Sequence, residues 1–469
     1  MTRLFSSLAL AALLCVATAP AVHAQYYPQP FFSPNGGGAD ATAAVIDKAE
    51  STIDVAMYSI STSGPIWESL RNAINRGVRV RVILNKATSS NKHKASALAG
   101  IGAHVYGTSR TMHEKFGLVD AGGKWWKRKL INGSANWSRG AETRYSENSV
   151  VFGMHSHLFY AFQMEFNRLL DVARPASPGA ENHTQEVTLR TPNPNIRRYE
   201  TAFFSGNNSG GSTLVADEII RVMRTAQTSI YCDIAHFNSR QIADALIDIR
   251  HQNPALKIEV MVDMGEYADK KSRVTELEAA GIDVRYKVYS LSFDHPRSQL
   301  QHHKTLIVDE RDMVTGSYNW SDTAEHSNYE NVISVRGHVR RNERLVKAFV
   351  DEHKRLWEQG RGDYDAVRDA MTAPQGDPAY RRYVPIHFDT DYHRGSMALE
   401  RGQFQVLRSA GWRAGLFDRQ PDGKRNVKFS YLDRETSDVF RGTPPGTFLP
   451  PAANTSGLTG ALSGANNSQ

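Results

Sequence analysis

The sequence repeats itself, and that duplication constrains the fold more than any other feature. The segment from about Tyr26 to Leu170 recurs, element by element, from about Tyr199 to Trp357, so the chain must build two like units on one plan. Phe31-Phe32-Ser33 is answered by Phe203-Phe204-Ser205, each followed by a Gly/Asn-rich turn. An amphipathic helix follows (Ala41 to Ala49, or Thr213 to Ala226), then a β-branched strand (Thr52 to Ser59, or Ser229 to Phe237) and a second helix. VRVRVIL (Val78 to Leu84) matches LKIEVMV (Leu256 to Val262), and GIGAHVY (Gly100 to Tyr106) matches AGIDVRY (Ala280 to Tyr286). Strands alternating with helices predict an α/β fold, with a mixed sheet flanked by helices in each copy.

The correspondence is tightest at the end of each copy. MHEKFGLVD (Met112 to Asp120) pairs with HHKTLIVDE (His302 to Glu310), and GSANWS (Gly133 to Ser138) with GSYNWS (Gly316 to Ser321). AETRYSENSVV (Ala141 to Val151) pairs with AEHSNYENVIS (Ala324 to Ser334). Ser134 to Glu147 and Ser317 to Glu330 both span 13 positions. Packing alone does not hold polar residues at one spacing twice.

On a strand, residues i and i+2 share a face. His113 and Lys115, like His302 and Lys304, therefore set an imidazole beside an ammonium. That pairing suits phosphate chemistry: the cations and the Ser134, Asn136, Ser317 and Asn319 side chains are candidates to hold non-bridging oxygens, while one His attacks phosphorus and the other protonates a leaving oxygen. Each His needs a partner that fixes its tautomer, and Glu147 and Glu330 stand at equivalent positions to provide one.

These motifs resemble those of the phospholipase D superfamily: HxK, four residues, Asp, six residues, then a GSxxN-like turn. The second copy fits throughout, at His302, Lys304, Asp309, Gly316, Ser317, Asn319, Glu330 and Asn331. The first fits at His113, Lys115, Asp120, Gly133, Ser134, Asn136, Glu147 and Asn148, but holds 12 residues between Asp120 and Gly133. The resemblance implies two α/β lobes about a pseudo-twofold axis, with both motifs in one site. It also implies metal-independent phosphodiester cleavage through a covalent phosphohistidine, with no cofactor. By that resemblance His113 is the nucleophile and His302 the general acid, with the two roles open to exchange. Asp120 and Asp309, part of the catalytic signature, are expected to support loop architecture. His303 is expected to face away from the site.

The extra residues of the first copy include GKWWKRK (Gly123 to Lys129). Trp125 and Trp126 between cations suit a phospholipid surface, and equally suit stacked bases of single-stranded nucleic acid. The same pair also fits a hairpin whose rings pack on the protein. The net charge of +7, from 56 Lys+Arg against 49 Asp+Glu, favours an anionic partner without choosing between them.

The N-terminus, MTRLFSSLALAALLCVATAPAVHAQ, has a basic residue at Arg3, an apolar run from Leu8 to Val16 and small residues before Gln25. It reads as a secretory signal peptide cleaved after Ala24, so the protein is expected to be exported, either to the periplasm or out of the cell. Cleavage removes Cys15 and leaves Cys232, in the apolar stretch SIYCDIAHF, as a buried thiol. The expected division is a signal peptide over 1–24, a first lobe over 25–172, a linker over 173–198, a second lobe over 199–360, an extension over 361–441 and a disordered tail over 442–469. Within the extension, Ala366 to Met371 is expected to be helical, and HFDTDYH would put His387, Asp389, Asp391 and His393 on one strand face. A solvated strand face explains that pattern better than a metal site.

Three functions compete: a secreted phospholipase D acting on phospholipid headgroups, an exported nuclease cutting DNA or RNA, and a non-catalytic binding protein of the same fold. The last predicts loss of a His, Lys or Asn from the motifs, yet both copies keep all of them. No obligate protein partner is expected, since one chain supplies both half-sites and a monomer suffices.

Overall fold

The computed structural model describes residues 27–34, 36–85, 89–176, 187, 189–193, 198–206, 213–289, 299–385, 396–410, 430–436 and 438–441. The signal peptide, the HFDTDYH segment and the tail lie outside the described residues.

In the first copy, β-branched and apolar runs form β1 (Gln29–Ser33), β2 (Thr52–Met57), β3 (Arg79–Leu84), β4 (His104–Thr108), β5 (Thr111–Met112), β6 (Lys115–Val119), β7 (Lys129–Gly133), β8 (Glu147–Gly153) and β9 (Ala173–Pro175). All but β5 join one mixed sheet in the order β1-β8-β7-β6-β2-β3-β4-β9. β2, β3 and β4 run parallel, while β6 is antiparallel to β2 and to β7. Every residue of β2 is buried, as expected for a central strand covered on both faces. The apparent alternation of RVRVIL does not mean a solvated face. Arg81 is buried, and its guanidinium donates to both carboxylate oxygens of Asp54 at 2.7 and 2.6 Å.

The second copy provides β10 (Glu200–Phe204), β11 (Ser229–Ile234), β12 (Lys257–Asp263), β13 (Asp283–Tyr289), β14 (Lys304–Val308), β15 (Asp312–Gly316), β16 (Asn328–Tyr329) and β17 (Asn331–Arg336). The order β10-β17-β15-β14-β11-β12 repeats that of β1-β8-β7-β6-β2-β3, and β11 is antiparallel to β14 as β2 is to β6. The described chain divides into two units. One holds residues up to 260, 271–283 and 301–353, and so contains both motif copies. Its core is shared: Phe116, Phe162 and Phe166 of the first copy are buried in one cluster with Ile307, Ile333 and Phe349 of the second. Burying each such side chain is worth about 1.5–3 kcal/mol, so the two copies stabilise one another.

The other unit comprises 261–270, 284–300 and the residues from 354 onward. Met261, Leu356, Trp357 and Ala398 form its small buried cluster, and the Arg285 guanidinium stacks 4.1 Å from the Trp357 ring centre. It includes the helix Tyr364–Thr372 and a small sheet of Tyr383–Pro385, Ser430–Asp433 and Asp438–Arg441. No helix among the described residues is long and apolar enough to cross a membrane.

Candidate active site

Each HxK segment is pinned by the other copy. β5 pairs in parallel with β16, and the His113 N–H donates to the Tyr329 carbonyl at 3.0 Å. Reciprocally, Gln301 bridges Ser146, and the His302 N–H donates to the Ser146 carbonyl at 3.0 Å. The residues after those carbonyls are Glu330 and Glu147. The backbone thus delivers each carboxylate to the opposite histidine: Glu330 lies 2.8 Å from His113 Nδ1, and Glu147 lies 2.8 Å from His302 Nδ1. Both carboxylates are fully buried, so each fixes its imidazole with Nδ1–H inward and Nε2 free for chemistry. Exchange of equivalent contacts in both directions is what a pseudo-twofold relation between the copies requires.

The lysines are placed alike: Lys115 Nζ donates to the His113 carbonyl and Lys304 Nζ to the His302 carbonyl, each at 2.6 Å. Burial pulls His113 down to about 4 against the opposing pull of Glu330, with Lys115 and Lys304 lowering it further. Burial, then Lys304, Lys115 and His113, push His302 well below the ordinary imidazole value. Burial also lowers Lys115 to about 8, although Glu330 and Glu147 oppose it. At neutral pH the site holds two neutral imidazoles among buried ammonium groups, an arrangement primed for an anion.

The turn residues divide into ligands and supports. Ser134 and Ser317 are fully buried, and their hydroxyls accept the N–H of Asn148 and Asn331 at 2.9 Å. These contacts lock each turn to the following strand, and a hydroxyl that accepts keeps its own O–H as a donor. Asn136 Oδ1 accepts the Ser59 N–H at 3.1 Å, leaving its amide Nδ2 as the group able to donate to an anion. Asn319 Oδ1 is buried without a hydrogen-bond partner. The Ser138 and Ser321 hydroxyls cap the short helices Arg139–Thr143 and Asp322–His326, which explains the final Ser of each motif.

Asp120 and Asp309, although part of the catalytic signature, serve the chain, which is the supporting role expected of them. Asp120 Oδ1 accepts the N–H of Glu50 and Ser51 at 2.8 Å. Asp309 Oδ1 accepts those of Gln227, Thr228 and Ser229 at 2.7–3.0 Å. Both sit at positive φ, 60° and 53°, where a short carboxylate tolerates the left-handed region. Trp125 and Trp126 are half exposed and lie where β6 turns into β7, at the opposite end of that hairpin from His113 and Ser134. They stand apart from the two histidines. His303 is buried, with Nδ1 2.9 Å from Asn148 Nδ2.

Sequence reasoning missed several neighbours. The Tyr58 ring meets His113 edge-on at 4.9 Å. Lys94 donates to Ser59 Oγ at 2.8 Å. Glu114, between His113 and Lys115, is buried and raised well above the usual carboxylate range by burial and by Glu165. None carries a local signal, since each matters only through its position in the fold.

A two-lobed α/β unit with paired, reciprocally supported HxK motifs is the architecture of the phospholipase D-like class. The family model described as "Cardiolipin synthase, PLD-like domain" matches residues 43–170 and 219–357, and the chain belongs to this phospholipase D-like family. The human mitochondrial cardiolipin hydrolase is 30% identical over 174 residues, 37% of this chain and 62% of that protein. The phospholipase D of Rickettsia bellii (strain RML369-C) is 30% identical over 166 residues, 34% of this chain and 75% of that protein. The chain spans 62%, 50% and 57% of the human, dog and mouse cardiolipin hydrolases. A phosphatidylserine synthase of Haemophilus influenzae Rd KW20 shares the fold, with a TM-score of 0.51 at 13% identity over 69% of this chain and 85% of that one.

Proposed function

We propose that this protein is an exported phospholipase D-type phosphodiesterase that hydrolyses phospholipid headgroup phosphodiesters through a phosphohistidine. The observation that carries the reading is the crossed pair of His–Glu contacts, which leaves two Nε2 atoms, both neutral, beside Lys115 and Lys304. Nε2 of His113 attacks phosphorus; the P–N bond forms as the P–O bond to the headgroup breaks, and the leaving oxygen takes the Nε2 proton of His302. The bound phosphodiester anion offsets the cations that suppress His302, so the protonated form becomes accessible with substrate in place. Water then gives a proton to His302 Nε2 and attacks phosphorus, releasing phosphatidate and restoring His113. Lys115, Lys304 and the Asn136 amide hold the non-bridging oxygens, whose charge grows in the transition state.

The test is parallel hydrolysis, with EDTA present, of phosphatidylcholine or cardiolipin vesicles and of single- and double-stranded DNA, comparing wild type with His113→Ala. Phosphatidate release that the substitution abolishes supports the reading. Strand cleavage with inert vesicles makes the protein a nuclease instead. Export adds its own check: the mature chain should begin at Gln25, by intact mass.

A further inference from the structure

The β6–β7 hairpin carries a second cationic feature at its far end. β6 has five residues, so its turn lies about 17 Å from the HxK end. There Trp125 and Trp126 are 50% and 42% exposed, their rings 5.8 Å apart and at 89°. Beside them lies a cleft of about 860 Å³ whose lining includes Lys48, Glu50, Asp120, Trp126, Lys127 and Lys129. Its two carboxylates are committed: Glu50 pairs with Lys127, and Asp120 accepts backbone N–H groups. Lys129 Nζ is buried with no hydrogen-bond partner, and burial followed by repulsion from Lys48 lowers its affinity for the proton. A buried, unpaired ammonium beside a second one is costly unless an anion joins them.

We propose that this cleft and the tryptophan turn bind an anionic phospholipid surface, with a headgroup phosphate between Lys48 and Lys129 and the two indoles at headgroup depth. The ring geometry selects lipid over nucleic acid. A base-stacking platform needs open ring faces, whereas the two indoles meet edge to face and Lys124 Nζ stands 5.3 Å from the Trp126 ring centre. Perpendicular indoles among cations instead form a wedge suited to the polar–apolar boundary. The site is separate from the histidines, so binding and turnover can be measured independently.

The test is co-sedimentation of the full chain with phosphatidylcholine vesicles, with and without phosphatidylglycerol, alongside turnover of bis(p-nitrophenyl) phosphate. Wild type should bind the anionic vesicles in a salt-sensitive way. Trp125→Ala/Trp126→Ala and Lys48→Gln/Lys129→Gln should each bind about tenfold or more weakly, with diester turnover unchanged. His113→Ala should keep vesicle binding while losing turnover, which separates this proposal from the catalytic one. If circular dichroism shows that the lysine pair variant misfolds, Lys48→Gln alone carries the comparison. Wild-type indifference to anionic vesicles, or variants that bind like wild type, overturns the proposal. Retention of single-stranded DNA that depends on the tryptophans, with vesicles ignored, overturns it in favour of nucleic acid.

Discussion

Both oxygens of Glu330 lie within 2.9 Å of His113 Nδ1 although 217 positions separate the two residues. Glu147 makes the reciprocal contact to His302. Neither copy alone supplies the carboxylate that supports its own HxK histidine. The duplication is therefore a functional unit, and each half supplies the support that the other half's imidazole needs.

Replacing either carboxylate by an amide should separate the two histidine roles. Glu330→Gln replaces an acceptor-only carboxylate by a neutral amide that can also donate, so the His113 tautomer is no longer enforced, and it should cut kcat/KM by about 10²–10⁴-fold on every diester. Glu147→Gln acts through His302, so its loss should be larger on substrates with poor leaving groups than on nitrophenyl diesters. Rapid-quench measurement of phosphoenzyme with both substrate types checks this. The opposite pattern would exchange the nucleophile and the acid.

The pH profile should be wide on its acid side and limited on its alkaline side. With His113 at about 4, the neutral nucleophile persists down to that pH. With Lys115 at about 8, its ammonium charge is lost as pH rises through that value. The kcat/KM of bis(p-nitrophenyl) phosphate, whose leaving group needs no proton from His302 and whose kcat/KM reports the free enzyme, should therefore fall above about pH 8. Lys115→Arg keeps a charge at that position throughout, so its alkaline limb should move upward even if its plateau is lower. An unchanged limb would show that another group sets it.

The duplication, the α/β class and the HxK, GSxN and EN motifs were legible because they are local strings repeated at fixed spacing. What each polar residue touches was not. Ser134 and Asn136 stand two positions apart, yet the Ser134 hydroxyl turns into the chain while Asn136 keeps an amide able to donate outward. The crossing of Glu147 and Glu330 arises from the pairing of β5 with β16 and of Gln301 with Ser146, and no local sequence records which copy a strand joins. Arg81 on β3 illustrates the same limit. Its alternation with valine mimics a solvated face, while its true partner Asp54 lies on the neighbouring strand.

His353 should make stability fall on the alkaline side. It is fully buried and stacked on Tyr231 at 4.6 Å. Burial alone would lower its pKa, but Asp233 at Nδ1 and Glu259 at Nε2 outweigh burial and raise it to about 9. A pKa raised in the folded state gives stability that is fully present below about 6.5 and lost as pH rises towards about 9. The shift corresponds to about 3 kcal/mol. Urea unfolding at about pH 6.5 and pH 9 should show that decline in wild type, and His353→Gln should be less stable at pH 6.5 with a flatter dependence. Equal slopes would mean that the cation is not held in the folded state.

The two copies differ at one motif position with a consequence for selectivity. GSANWS carries Ala135 where GSYNWS carries Tyr318, and the Tyr318 ring is buried, 1% exposed, towards Glu325. On the Ala135 side a cleft of about 370 Å³ opens beside Asn136 and Glu147, between Trp67, Trp137 and Glu142. The missing ring leaves room for part of a substrate beside Asn136. Ala135→Tyr should restore the second copy's filling and shrink that space. Bulky diesters should then lose about tenfold or more in kcat/KM while a compact diester loses less than about threefold, since the pocket discriminates by volume alone. Comparing long-chain with short-chain phospholipids in mixed micelles, with the melting temperature as a control on folding, reads this directly. Equal losses on both, at unchanged melting temperature, would place the substrate elsewhere in the groove.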